Sequence, residues 1–181
     1  MNAATFMTGP TLADANRNPQ KGETAMSQKI LIACDESKNA RRAVDYVARA
    51  LTTDHRITLM AVLQDTASLC EMQSPELTPY FKAQQANFCE LEDQKKKLIQ
   101  ASLEAARQRL VDAGFDEKNI TIKIEPKKRG VARDIVAEAA NGYDLIVIGR
   151  RGAAGIREFF LGSVSQKVLS LATEQSVLIV N

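Results

Sequence analysis

A chain of 181 residues, 45% apolar and 25% charged, has the size of one domain and buries roughly 70% of the surface its unfolded form exposes, so it folds without a staple. No apolar run approaches the roughly 20 residues of a membrane span, and 24 basic against 22 acidic residues leave a formal charge of +2, too small a field for general nucleic-acid binding. The three cysteines, Cys34, Cys70 and Cys89, are odd in number and lack C-x-x-C spacing, which indicates neither a disulfide framework nor a zinc site and suits a reducing cytoplasm.

Residues 1–28 hold Gly9, Pro10, Pro19 and Gly22 without periodicity, the profile of a disordered leader ahead of a domain over 29–181. Ile30, Leu31, Ile32 and Ala33 then form a short apolar run, as expected of a strand covered on both faces. After Asp35, with Ser37 or Asn39 as N-cap, Ala40, Val44, Val47, Ala48 and Leu51 recur at helical spacing, predicting a helix to about Thr52. His55, between Asp54 and Arg56, reads as a surface turn residue, because triads and metal pairs need partners that this chain does not supply.

The second strand is Ile57 to Leu63, followed by a polar loop from Gln64 to Thr78 containing Pro75. A loop of that length suits a lid or a partner contact. A long helix follows from about Tyr80 to Ala113, with Ile99, Leu103, Ala106 and Leu110 as its apolar stripe and Gly114 as its stop. Lys95, Lys96 and Lys97 fan around it as a solvated surface. The third strand, Ile120 to Glu125, alternates apolar and polar residues as an edge strand does. It exits into Lys127, Lys128 and Arg129, read as a solvated turn in preference to an anion site. A helix with Val131, Ile135, Val136 and Ala139 inward, a strand from Tyr143 to Ile148, a helix from about Ser163 to Ala172, and a last strand at Val177 to Val180 complete the chain.

Strands and helices in alternation predict a doubly wound α/β domain, with a five-stranded parallel sheet between two helix layers. Ligands bind such sheets beyond the carboxyl ends of the strands, where the winding reverses. Periodicity alone admits strand order 3-2-1-4-5 or 2-1-3-4-5.

The stretch GRRGAAGIREFFLGSVS, from Gly149 to Ser165, joins the fourth strand to the last helix. A glycine-rich loop feeding a helix offers free N–H groups and the positive end of the helix dipole to an anion. Gly149 and Gly152 let the backbone turn sharply and approach a ligand. Gly162 and Ser163 open the helix, the hydroxyls of Ser163 and Ser165 are further donors, and Arg150 and Arg151 offset phosphate charge.

Gly149, Gly152, Gly162 and Ser163 reproduce the G-x2-G-x9-G-[ST] signature, and with the opening strand ending at Asp35, the YDLIVIG run and the closing SVLIV the chain resembles the ATP-binding branch of the universal stress protein family over about Lys29 to Asn181. The resemblance implies the order 3-2-1-4-5 and an adenine nucleotide alpha hydrolase-like fold. It implies ATP, with or without Mg2+, as the ligand. Asp35 would meet adenine and ribose, backbone at Val62 would meet adenine, and Ile148, Gly149, Arg151, Gly152, Gly162, Ser163, Val164 and Ser165 would line ribose and phosphates. Ala33 stands where many relatives carry proline. A homodimer paired through Val177 to Val180 is also implied.

The function expected is therefore that of a nucleotide-binding regulatory or stress-response protein of the cytoplasm. The alternatives are a slow ATPase or phosphotransferase, for which no Walker lysine or catalytic base is evident, and a ligand-free dimeric scaffold that recruits a protein partner through the long loop and helix.

Overall fold

The computed structural model describes residues 27–72, 78–152 and 161–181. The predicted leader, except its last two residues, lies outside the described residues, as do Pro75 of the long loop and 153–160 of the glycine-rich stretch. The strands are β1 (Lys29–Ala33), β2 (Arg56–Leu63), β3 (Ile120–Pro126), β4 (Leu145–Gly149) and β5 (Ser176–Val180). All pair in parallel in the order β3-β2-β1-β4-β5. The helices are α1 (Lys38–Ala50), α2 (Ala67–Cys70), α3 (Pro79–Asp112), α4 (Val131–Ala139) and α5 (Ser163–Leu171), with one 3-10 turn at Glu117–Asn119.

β1 lies at the centre, and Ile30, Leu31 and Ile32 are fully buried. Alternation along the strand sends successive side chains to opposite faces. Ile30 and Ile32, with Leu59 of β2, meet Val44 and Val47 of α1 and Leu103 and Leu110 of α3. Leu31 and Ala33, with Met60, Ile146 and Ile148, meet Ile135 of α4 and Val168 of α5. Each fully buried Leu, Ile or Val side chain contributes roughly 1.5–3 kcal/mol, so two apolar layers hold one sheet. β3 occupies an edge, as its alternation predicted, and β5 occupies the other.

Local chemistry sets the element ends. Ser37 caps α1, accepting from the Ala40 N–H at 3.0 Å, and Thr78 caps α3 with Pro79 at its first position. Gly130 takes φ +119°, a backbone region that L side chains rarely adopt, and so opens α4. Tyr143 falls before β4 instead of inside it: its N–H bonds the Ala139 carbonyl, and its hydroxyl donates to Thr58 Oγ1 at 3.0 Å.

Two expectations are corrected. Cys70 and Cys89 are joined by a disulfide that ties α2 to α3; the long loop contains a helical turn that returns to α3, which Cys spacing in the sequence does not reveal. His55 is buried, not a surface turn residue. Its Nδ1 accepts the Gln28 N–H at 3.2 Å and its Nε2 lies 3.3 Å from Thr52 Oγ1, because the chain entering β1 covers the turn before β2.

Candidate functional site: a cavity at the carboxyl edge of the sheet

β1 ends at Ala33 while β2 runs on to Leu63, and this difference in length opens a space above β1. The Cys34 N–H bonds the Met60 carbonyl at 2.8 Å. Strand alternation then turns the Val62 backbone groups the same way, beyond the end of β1. A cavity of about 660 Å³ results, within the range of small-molecule sites. Asp35 and Val62 line it together with Arg151, Gly152, Gly162, Ser163 and Val164, and Met60, Ile99, Val131 and Ile135 supply apolar surface.

Ala33, Ile148, Gly149 and Ser165 do not line this cavity. They surround an adjoining one of about 70 Å³, too small for a nucleotide, underneath the glycine-rich loop. The Ser165 hydroxyl is buried and donates to the Gly149 carbonyl at 2.8 Å, so it braces the loop instead of donating into the cavity as expected.

The glycines act differently from one another. A Cβ on Gly149 would lie 2.7 Å from the Asn39 backbone of α1, and one on Gly152 would lie 2.7 Å from Asp35 Oδ2. Neither takes a positive φ, so close approach, not a sharp turn, marks both positions, against fixed backbone at Gly149 and against a side-chain end at Gly152. Gly162 donates its N–H to the Arg150 carbonyl at 2.9 Å, closing the loop on itself. Asn39 Nδ2 donates to the Arg151 carbonyl at 3.0 Å, and the Arg150 N–H bonds the Val180 carbonyl at 2.7 Å. The first backbone bond of α5 runs from Gln166 to Gly162, which leaves the N–H groups of Ser163, Val164 and Ser165 without intrahelical acceptors.

In the same cavity, Asp35 Oδ1 accepts the Ser37 N–H at 3.0 Å, which fixes the carboxylate at the head of α1. Burial, with Asp35 beside it, pushes the Cys34 thiol up to about 12, so near neutral pH it is a protonated, weak nucleophile. The basic exit from β3 does not extend the anion site. The N–H groups of Lys128 and Arg129 bind the Asp134 carboxylate at 2.9 and 3.0 Å, and Gly130 adds a third contact at 3.3 Å. A carboxylate of the chain's own occupies that nest.

The sequence reading missed Lys95, which lines the cavity from α3, and Gln64 at the start of the long loop. Lys95 had no distinguishing signal among three consecutive lysines. Among the described residues no helix is long and apolar enough to cross a membrane.

The model of the universal stress protein family matches residues 26–181. The universal stress protein YxiE of Bacillus subtilis is 29% identical over 150 residues, spanning 82% of this chain and 95% of its own. Among solved structures, the universal stress protein UspA of Lactobacillus plantarum superposes with a TM-score of 0.61 at 21% identity, covering 85% of this chain and 97% of its own. A universal stress protein in complex with cAMP superposes with a TM-score of 0.56 at 20% identity, over 86% and 97% of the two chains. At these identities the structural likeness is one of fold.

Proposed function

The chain belongs to the universal stress protein family, and from that premise we propose that its cavity binds an adenine nucleotide, ATP, and that the protein acts as a nucleotide-binding regulator in a stress response. The observation that carries this is that the Asp35 carboxylate and the N-terminus of α5 line one cavity. The two ends have opposite chemistry. Asp35 is an acceptor suited to ribose hydroxyls or an amino group, while the α5 N–H groups and Arg151 suit phosphates. Met60, Val62, Ile99 and Val131 give the base an apolar slot. One fold neighbour is a universal stress protein in complex with cAMP, which supports an adenine nucleotide as the class of ligand.

Phosphate charge would be held by the α5 dipole and by Arg151, on a loop whose backbone is already held by Gly162, Asn39 and Val180 contacts. Gly149 and Ser165 would support the loop from beneath. In the same reading β5, hydrogen-bonded on one side to β4, is the edge through which a cytoplasmic homodimer pairs.

Calorimetry on the full chain with ATP, ADP, AMP and cAMP tests the site. ATP is expected to bind wild type and to lose binding to Gly152→Val. Absence of nucleotide binding by correctly folded wild type overturns the proposal.

A further inference from the structure

At 34 residues, α3 is about 50 Å long, but its buried residues Ile99, Leu103, Ala106 and Leu110 all lie in its C-terminal half. The N-terminal half is braced by α2, through the Cys70–Cys89 bond and through Gln85 Nε2, which donates to the carbonyls of Leu69 and Met72. On this braced arm Tyr80 is 75% exposed, Phe81 41%, Phe88 38%, Leu91 63% and Leu98 66%. At about 100° per residue these five fall in an arc roughly 100° wide. They make one largely apolar stripe, interrupted by Gln84 and Lys95, and such a stripe on an exposed helix marks an interaction surface.

The stripe has the two rows of a coiled-coil seam, Phe81, Phe88 and Lys95 in one and Gln84, Leu91 and Leu98 in the other. Lys95 is the single charge in the seam, and the half-buried Glu92 flanks it. Their spacing selects the occupant. Parallel pairing of two arms would set Lys95 against Lys95. Antiparallel pairing about a two-fold near residue 93 sets Lys95 opposite Leu91 of a second copy, beside Glu92 of that copy. The sign change along the arm, from Glu90, Glu92 and Asp93 to Lys95, Lys96 and Lys97, matches only in that direction.

We propose that the N-terminal half of α3 is a self-association arm, on which Phe88, Leu91 and Leu98 dock antiparallel against the same residues of a second copy, with Lys95 meeting Glu92 across the two-fold. This surface is separate from the β5 edge. The paired arms stand at the cavity mouth, because Lys95 and Ile99 also line the cavity.

Sedimentation of the full chain across the micromolar range tests it. Leu91→Asp with Leu98→Asp, at two exposed positions where the circular dichroism of the fold should be retained, is expected to halve the mass of the largest species. Glu92→Lys and Lys95→Glu singly are expected to weaken self-association about tenfold, and the two together to restore it. A monomeric wild type overturns the proposal and leaves the stripe to another chain or to residues 1–26. So does an unchanged mass in the Leu91→Asp, Leu98→Asp variant, or a charge swap that restores nothing.

Discussion

A Cβ placed on Gly152 would lie 2.7 Å from Oδ2 of Asp35, so the glycine of the loop after β4 and the acid at the end of β1 share one space. The neighbour that must move is the far end of a side chain. Gly152→Ala is therefore expected to displace the Asp35 carboxylate while leaving the fold nearly as stable as wild type. Nucleotide affinity should fall by about tenfold or more, the equivalent of one lost charged hydrogen bond, with the melting temperature almost unchanged. Calorimetry paired with thermal unfolding checks both halves, and unchanged affinity would sink the role given to Asp35.

Gly149→Ala should behave in the opposite sense. Its Cβ would meet Asn39 carbonyl carbon at 2.7 Å and carbonyl oxygen at 2.8 Å, and backbone inside α1 does not swing aside. Overpacking of this kind costs about 1–3 kcal/mol, and about 2–4 °C in melting temperature per kcal/mol for a protein of this size. Thermal and urea denaturation measure it; a stability equal to wild type would show that α1 gives way.

Asp134 links stability to pH. Burial by itself would push its carboxyl up, but the N–H groups of Arg129, Lys128 and Gly130, with the Arg129 charge, outweigh that and hold it below the usual carboxylate range. A carboxyl depressed in the fold is deprotonated there while its unfolded counterpart, with a value of about 4, still takes up protons. Its contribution is thus fully present above about pH 4 and is lost as pH falls through the folded value. Asp134→Asn should cost about 2 kcal/mol at neutral pH, and the difference from wild type should shrink on acidification below pH 4. Denaturant midpoints at several pH values test this, and a gap independent of pH would exclude the carboxylate as its source.

These positions show how far the sequence can be read. The parallel sheet and the edge position of β3 were legible because Ile30 to Ala33 and the alternation of Ile120, Ile122 and Ile124 follow from burial on two faces or on one, whereas the strand order came from the family resemblance, since periodicity admitted two orders. Gly152, Gly162 and Ser163 were legible because a motif names them, and Asp35 because it ends the opening strand and the topology brings the ends of β1 and β4 together. The difference between Gly149 and Gly152 was not, since it depends on which atom faces each missing Cβ. Nor was the inward turn of the Ser165 hydroxyl, nor the burial of His55, which depends on Gln28 crossing the turn before β2. Cys70 and Cys89 escaped for a similar reason, because their pairing is made by a short helix inside a segment that reads as an irregular loop.

The three cysteines give a separable chemical test. Cys70 and Cys89 are bonded to each other, and the Cys34 thiol, raised by burial and by Asp35 to about 12 from an ordinary 9.0, has a thiolate fraction near neutral pH about a thousandfold below that of a free thiol. Iodoacetamide at pH 8 should thus label the oxidised native protein slowly. After mild reduction two thiols should react quickly, with Cys34 still protected until denaturant is added. The freed α2 should then exchange its amides faster, since the covalent tie to the α3 arm is gone while Gln85 alone holds the Leu69 and Met72 carbonyls. Mass spectrometry of labelled peptides and hydrogen exchange over 64–72 measure the two effects. Rapid labelling of Cys34 in the native protein would show that the thiol is not held in the protonated form, and unchanged exchange in 64–72 after reduction would assign the bracing of the arm to Gln85.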